Sequence, residues 1–332
     1  MLGNATTCAH DLTQKGGAND ITPAQSAVVE QEPQQTVDIE WLTLLVALGC
    51  WGGFAALLVW HDRLPAVAVV VAFALLGGWY MSLQHEVIHG HPTPWRRVNH
   101  ALVAVPLSLW LPFGLYRELH LVHHRSDLTT PGTDPESFYI SPERWDAASR
   151  PYRLALNFNR TLLGRLVIGP ALGPPAQVAH ELRLAVRDAE RRQVWATHVA
   201  WAALTGWFVF TVADVPVWQY LLGYCYLGMS VTYIRSFVEH LAVPEPSTRS
   251  AVVSSNWFFG LLFLNNNLHH THHTLPGAAW YRLPRLTDEI AADEAAADGA
   301  GHYAGYGEVM RRYGLRAFST PVHPLADRFA RQ

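Results

Sequence analysis

The chain has 332 residues, half of them hydrophobic and only 15% Asp, Glu, Lys or Arg, against about 25% in an ordinary soluble domain, a balance that leans toward a membrane. The formal net charge of -3 argues against a nucleic-acid partner. Three cysteines, Cys8, Cys50 and Cys225, share no metal-like spacing, which argues against a disulfide framework or a thiolate zinc site.

Residues 1–40 are polar and lack the basic stretch and apolar core of a cleaved signal peptide, so they read as a flexible tail. Trp41 to Trp60 then carries no formal charge, nor does Leu64 to Leu83, and only His61-Asp62-Arg63 separates them. Each run is long enough, as a helix, to cross a bilayer core of about 30 Å. Ala101 to Tyr116 is apolar but too short and interrupted to span comfortably, and reads as interfacial or re-entrant.

A second apolar pair follows, Val194 to Val212 and Val217 to Ile234, parted by Ala213-Asp214-Val215-Pro216. Ala251 to Leu264 resembles the earlier interfacial stretch, Thr287 to Gly301 reads as a loop, and Tyr303 to Phe318 as a short helix exposing Arg311 and Arg312. The expected fold is therefore an all-α integral membrane protein of four spans (about 41–60, 64–83, 194–212 and 217–234), arranged as two helical hairpins with interfacial helices. One domain covers 41–325, with a tail at 326–332. Buried helices of a soluble protein are the alternative, but four near-chargeless runs of this length are rare outside membranes.

Orientation follows from arginine. Arg96, Arg97, Arg183, Arg187, Arg191, Arg192, Arg235 and Arg249 flank one side of the spans, while the two short opposite loops hold only Arg63. By the positive-inside rule both termini and the 85–193 region face the cytoplasm.

The 18 histidines are the anomaly. His85-Glu86-Val87-Ile88-His89 fits the His-Glu-x-x-His pattern of zinc proteases, in which two imidazoles one helical turn apart share a metal. Two HxxHH arrays follow, His120-Leu121-Val122-His123-His124 and His269-His270-Thr271-His272-His273, with His240 just beyond the fourth run. All of them fall on the same predicted side of the membrane. On a helix, the last two residues of HxxHH diverge by about 100°, so one array can serve two ions. A zinc protease needs three protein ligands and an open position, and nine histidines exceed that need. The surplus suggests two metals, and imidazole suits iron, copper, zinc or nickel. A soluble di-iron bundle would require two Glu-x-x-His pairs, whereas only Glu86 to His89 is present.

With these boxes the chain resembles the membrane fatty acid desaturase and hydroxylase family, over about residues 41–325. The context Asn265-Asn266-Asn267-Leu268 before His269, with Pro276-Gly277 and Trp280-Tyr281 after the box, is similar to bacterial members. The resemblance implies a di-iron centre bound by His85, His89, His120, His123, His124, His269, His272 and His273. His240 matches a lone histidine that some members place after the fourth span, and Ser236 stands where related enzymes can carry an Asn. Glu86, Asp127, Glu239, Asn266 and His270 are candidates to orient ligand imidazoles; ordinary solvated or capping roles compete for the carboxylates. His91, His100 and His323 read as supporting or structural.

The resemblance further implies an O2-dependent oxidoreductase of a bacterial inner membrane, using two iron ions to attack an unactivated C–H bond of an aliphatic substrate. Loss of a second hydrogen gives a double bond, and return of hydroxyl gives an alcohol. A fatty acyl chain is the family default, with carotenoid-type or dihydrorhizobitoxine-type molecules as alternatives. No haem, iron–sulfur or dinucleotide motif is present, so electrons should come from a separate ferredoxin, rubredoxin or cytochrome. Arg96, Arg97, Arg117 and Arg125 could steer an acidic donor or hold an anionic substrate head, and lipid-facing topology explains them equally well. The rivals are an intramembrane zinc protease, whose third ligand has no suitable acidic residue in the later spans, and a metal-handling protein, which should show ligands at the bilayer midplane.

Overall fold

The computed structural model describes residues 38–325. The tail expected over 1–40 thus lies, except for its last three residues, outside the described residues, as does 326–332.

The chain is mostly helical. Helix α1 (Trp41–Trp60) and helix α2 (Ala66–Ile88) are long and apolar enough to cross a membrane, with mean hydropathies of 2.2 and 2.0. Two short helices follow, α3 (Arg96–Val103) and α4 (Phe113–His123), then α5 (Pro142–Ala147), α6 (Arg150–Phe158) and α7 (Leu162–Arg187). The third apolar run forms α8 (Ala189–Trp207), which widens into a π-helical turn at Phe208–Val212. The fourth runs through α9 (Val217–Tyr220), a π segment Leu221–Leu227, and α10 (Gly228–Ser236).

Helix α2 runs through the centre of the molecule. It crosses the fourth helical run so closely that a Cβ on Gly77 would lie 2.7 Å from the Tyr224 carbonyl and 3.2 Å from the Gly228 Cα. Small residues on both helices permit this approach. Around the crossing Phe54, Phe73, Tyr220 and Tyr224 form an edge-to-face cluster, with Tyr220 and Tyr224 stacked at 5.3 Å. The two short interhelical loops meet, His61 Nε2 lying 3.2 Å from the Asp214 carbonyl.

The segment between α3 and α4 is irregular backbone inserted against this core. Its carbonyls would be costly to bury unpaired, and distant side chains satisfy them. Tyr80 donates to Val105 at 2.9 Å and Tyr220 to Leu107 at 2.6 Å, while Trp51 donates to Leu102, in the last turn of α3, at 2.9 Å. His198 Nε2 reaches the Leu109 carbonyl at 3.3 Å.

Helix α7 was not anticipated, because Pro170, Pro174 and Pro175 lie inside it and proline normally breaks a helix. The carbonyl that Pro170 leaves without an i→i−4 donor belongs to Leu166, and Ser230 Oγ donates to it at 2.7 Å. Thr161 caps the start by accepting from the Gly164 N–H.

After a two-residue strand β1 (Val252–Val253) come α11 (Trp257–Leu262), α12 (His269–Thr274), α13 (Leu283–Glu289) and α14 (Ala292–Ala297). Strand β2 (His302–Tyr303) pairs in parallel with β1, and α15 (Tyr306–Tyr313) follows. Two expectations need correction here. The stretch 287–301 is not a loop: Ala292 and Ala296 are buried, and small helix-favouring alanines let α14 pack close. The described residues are also not purely α-helical, since β1 pairs with β2 and its Val253 exchanges hydrogen bonds with Asn267, just before α12.

Candidate metal centre

Helix α2 ends at the site: His85 lies in its last turn and His89 is its C-cap. Helix α4 carries His120 and His123, with His124 at its C-cap, and α12 carries His269, His272 and His273. His240 follows α10 in a bridge to Ser250. These nine side chains sort into two groups, His85, His89, His120, His124 and His272 in one, His123, His240, His269 and His273 in the other. Within each group the potential ligand atoms all lie within 4.8 Å of one another. Each HxxHH array is divided by its helical twist: α4 gives two imidazoles to the larger group and one to the smaller, and α12 the reverse.

The spacings suit metal ligation. In the larger group His120 Nε2 is 3.1 Å from His89 Nε2 and 3.0 Å from His124 Nε2, and His272 is 3.1 Å from His124. In the smaller, His240 is 3.1 Å from His123 and 3.0 Å from His269, and His273 is 3.1 Å from His269. Two nitrogens about 2.1 Å from one ion and at right angles to each other stand about 3.0 Å apart. Without an ion, so many converging lone pairs would have only protons to separate them.

The outer nitrogens are held by the protein. His123 Nδ1 donates to Asp134 at 2.7 Å, and His120 Nδ1 to Glu136 at 2.8 Å. Asp134 is itself fixed by the Thr129 and Glu136 N–H groups at 2.8 and 2.9 Å. Asn266 bridges the groups, its Oδ1 accepting from His269 Nδ1 at 3.1 Å and its Nδ2 standing 3.2 Å from His85 Nε2. Glu239 lies 3.5 Å from His269 Nδ1 and pairs with Arg235 at 2.9 Å.

Of the other residues singled out in the sequence, Glu86 stands 3.9 Å from His85 Nδ1 and accepts from the Trp280 N–H at 3.2 Å. His270 falls in neither group. Asp127 contacts no imidazole of the two groups. It accepts from Arg249 and from Thr130, both at 2.6 Å, and reaches the site only through Arg249, whose carbonyl is 3.4 Å from His240 Nδ1. The residues that sequence reasoning missed are Asp134 and Glu136. Their signal was a Thr133-Asp134-Pro135-Glu136 turn shortly after the second box. Ser236 Oγ is buried with no hydrogen-bond partner among the described residues. His91 pairs with Glu40 at 2.6 Å, and His323 with Thr129 at 3.1 Å.

Burial and neighbouring imidazoles hold His89, His124, His269, His272 and His273 well below the usual histidine range. The same causes, with His123 the main neighbour, push His240 down to about 3. These groups are therefore neutral and able to ligate near pH 7. Burial also disfavours charge on His123, but Asp134 and Glu136 outweigh it and raise the group to about 9. Binding a cation there would release that proton. Burial opposes ionisation of Glu136 too, yet His120 and His123 hold it below the ordinary carboxylate range.

The helical scaffold thus presents two neighbouring histidine groups, each of which could hold a metal ion. Residues 62–306 match the family model for fatty acid desaturases, and the chain belongs to that family. No curated protein matches it in sequence. Membership implies an oxidoreductase associated with a membrane and acting on lipid.

Proposed function

We propose that this chain is an integral-membrane di-iron, O2-dependent oxidoreductase that introduces a double bond into an aliphatic, fatty acyl or lipid-like substrate. The observation that carries the reading is the partition of nine histidines into groups of five and four within a chain of the desaturase family. Two irons in these groups would supply the reductive activation of O2 needed to remove hydrogen from an unactivated carbon. The protein's own part is positional. Asp134 and Glu136 keep the His123 and His120 rings in one tautomer and orientation, Asn266 ties α12 to α2, and His85, His120, His123, His269 and His272 are buried while the other four imidazoles are partly exposed. Electrons come from a separate ferredoxin, rubredoxin or cytochrome.

The same reading takes residues 41–325 as one domain with four spans. From Val194 to Val212, and over 217–236, the exposed residues are largely apolar, including Val199, Trp201, Leu204, Trp207, Trp218 and Leu221, which favours lipid on both hairpins. The arginine distribution favours a reading with the histidines, and both termini, on the cytoplasmic face of a bacterial inner membrane. A zinc protease built on His85-Glu86-Val87-Ile88-His89 is disfavoured, because His85 and His89 join a five-histidine group that leaves no three-ligand site for Glu86 to serve.

The test is expression in a host with its own redox chain, with lipid and small-metabolite profiles of wild type compared with His272→Ala. A product double bond present only in the wild type supports the reading. A new hydroxyl would move it to hydroxylation, and identical profiles in the presence of a working donor would overturn it.

A further inference from the structure

Outside the metal centre, three arginines lie together at the end of α15. Arg311, Arg312 and Arg316 line a surface cavity of about 840 Å³ together with Leu315 and Phe318. Arg312 pairs with Glu308. Among the described residues neither Arg311 nor Arg316 has a carboxylate within salt-bridge reach. Beside these cations stand apolar side chains that a water-facing surface would not favour: Leu315 is 78% exposed and Met310 49%.

The patch is tied to the rim of a membrane-length element. The Gly314 carbonyl accepts from the Leu163 N–H at 3.0 Å, at the start of α7. One turn further on, the Leu166 and Val167 carbonyls accept from Ser230 and Tyr226, in the last part of the fourth apolar run. Leu163 precedes Leu166 by about 4.5 Å of helix rise, so Gly314, which lies between the arginines in sequence, sits near the level at which that run ends. Leu163 and Val167 are exposed as well. Exposed apolar side chains beside guanidinium groups, Met310 next to Arg311 and Leu315 next to Arg316, match what a phospholipid surface accepts.

We propose that Arg311, Arg312 and Arg316 form a site for the phosphate of an anionic phospholipid, with Leu315 and Met310 set among its acyl chains. This inference rests on the membrane placement proposed above. Guanidinium groups bind phosphate by paired N–H donation, and each basic residue near an anionic surface contributes about 1 kcal/mol. Removing two should therefore weaken binding about 30-fold.

The experiment titrates phosphatidylglycerol, and separately phosphatidylcholine or inorganic phosphate, into the full-length detergent-solubilised protein, following bound lipid by native mass spectrometry. Carbonate extraction of membranes checks membrane placement independently, and its failure would leave the lipid titration interpretable. The expected result is preferential phosphatidylglycerol binding, weakened about 30-fold in Arg311→Gln/Arg316→Gln and reduced in Leu315→Ser. Equal binding of both lipids, or an unchanged affinity in the double variant, would overturn the proposal. So would inorganic phosphate competing at equal concentration, which would mark a free-phosphate site. An arginine effect seen only on reduction by an acidic donor protein would overturn it in favour of a protein-docking surface. Iron content of the variants should stay at the wild-type level.

Discussion

Replacing Asp134 by Asn separates the proposed metal sites from one another. The carboxylate accepts three hydrogen bonds, from His123 Nδ1 and from the Thr129 and Glu136 N–H groups, and its side chain is only 1% exposed. An amide keeps one oxygen acceptor, turns the other position into a donor facing N–H groups, and removes the charge that keeps His123 oriented. Loss of such a partner typically costs 10–100-fold in metal affinity, or about 1.4–2.8 kcal/mol. The loss should fall on the group containing His123. Glu136→Gln should instead weaken the group containing His120, and by less, because the Glu136 side chain is 36% exposed and solvent can replace part of its bond. Chelator titration of the iron-loaded protein, with thermal unfolding as a check on folding, reads both effects. In Asp134→Asn about one iron per chain should be released at chelator levels that leave wild type loaded. Equal release from both sites, or no change, would refute the idea that the outer carboxylates serve distinct ions.

Gly77→Ala places a Cβ 2.7 Å from the Tyr224 carbonyl and should cost about 1–3 kcal/mol through overpacking; an unaltered thermal inactivation rate would contradict that helix crossing. Tyr220→Phe leaves the buried Leu107 carbonyl without its 2.6 Å donor and should destabilise by about 1–3 kcal/mol, read by the same assay. The metal-free protein should lose stability as pH falls below about 6.5. His89, His124, His240, His269, His272 and His273 are all depressed in the folded state, so the unfolded chain takes up protons that the folded chain refuses. His123 acts in the opposite sense, its contribution being lost as pH rises through about 9, and is outnumbered. Iron loading should steepen the acid side of the profile, because a bound cation keeps His123 unprotonated in the folded state as well, and a metal-free protein equally stable at pH 5 and pH 7 would contradict the assignment of depressed groups.

The helices and histidines were legible because they follow from local rules. An uncharged run from Trp41 to Trp60 becomes a helix with those same limits, and the HxxHH spacing already contains the angle that divides each array between two groups. The carboxylates were not legible, because the 124–140 segment folds back over α4. Asp127, closest in sequence to the second box, turns to Arg249, while Asp134 and Glu136 come round to the imidazoles. Helix α7 was hidden for a similar reason. Its prolines forbid an isolated helix, and the donor that satisfies the Leu166 carbonyl comes from Ser230, 64 residues away in sequence. The stretch 287–301 carries Asp and Gly signals of a loop, and burial of Ala292 and Ala296 overrides them at 292–297.

The most direct measurement is metal analysis of the purified full-length protein beside His120→Ala and His273→Ala, one from each histidine group. The account predicts about two irons per chain in wild type, with the first variant losing iron preferentially from the five-histidine site and the second from the four-histidine site. A single zinc per chain, or iron unaffected by both substitutions, would contradict it.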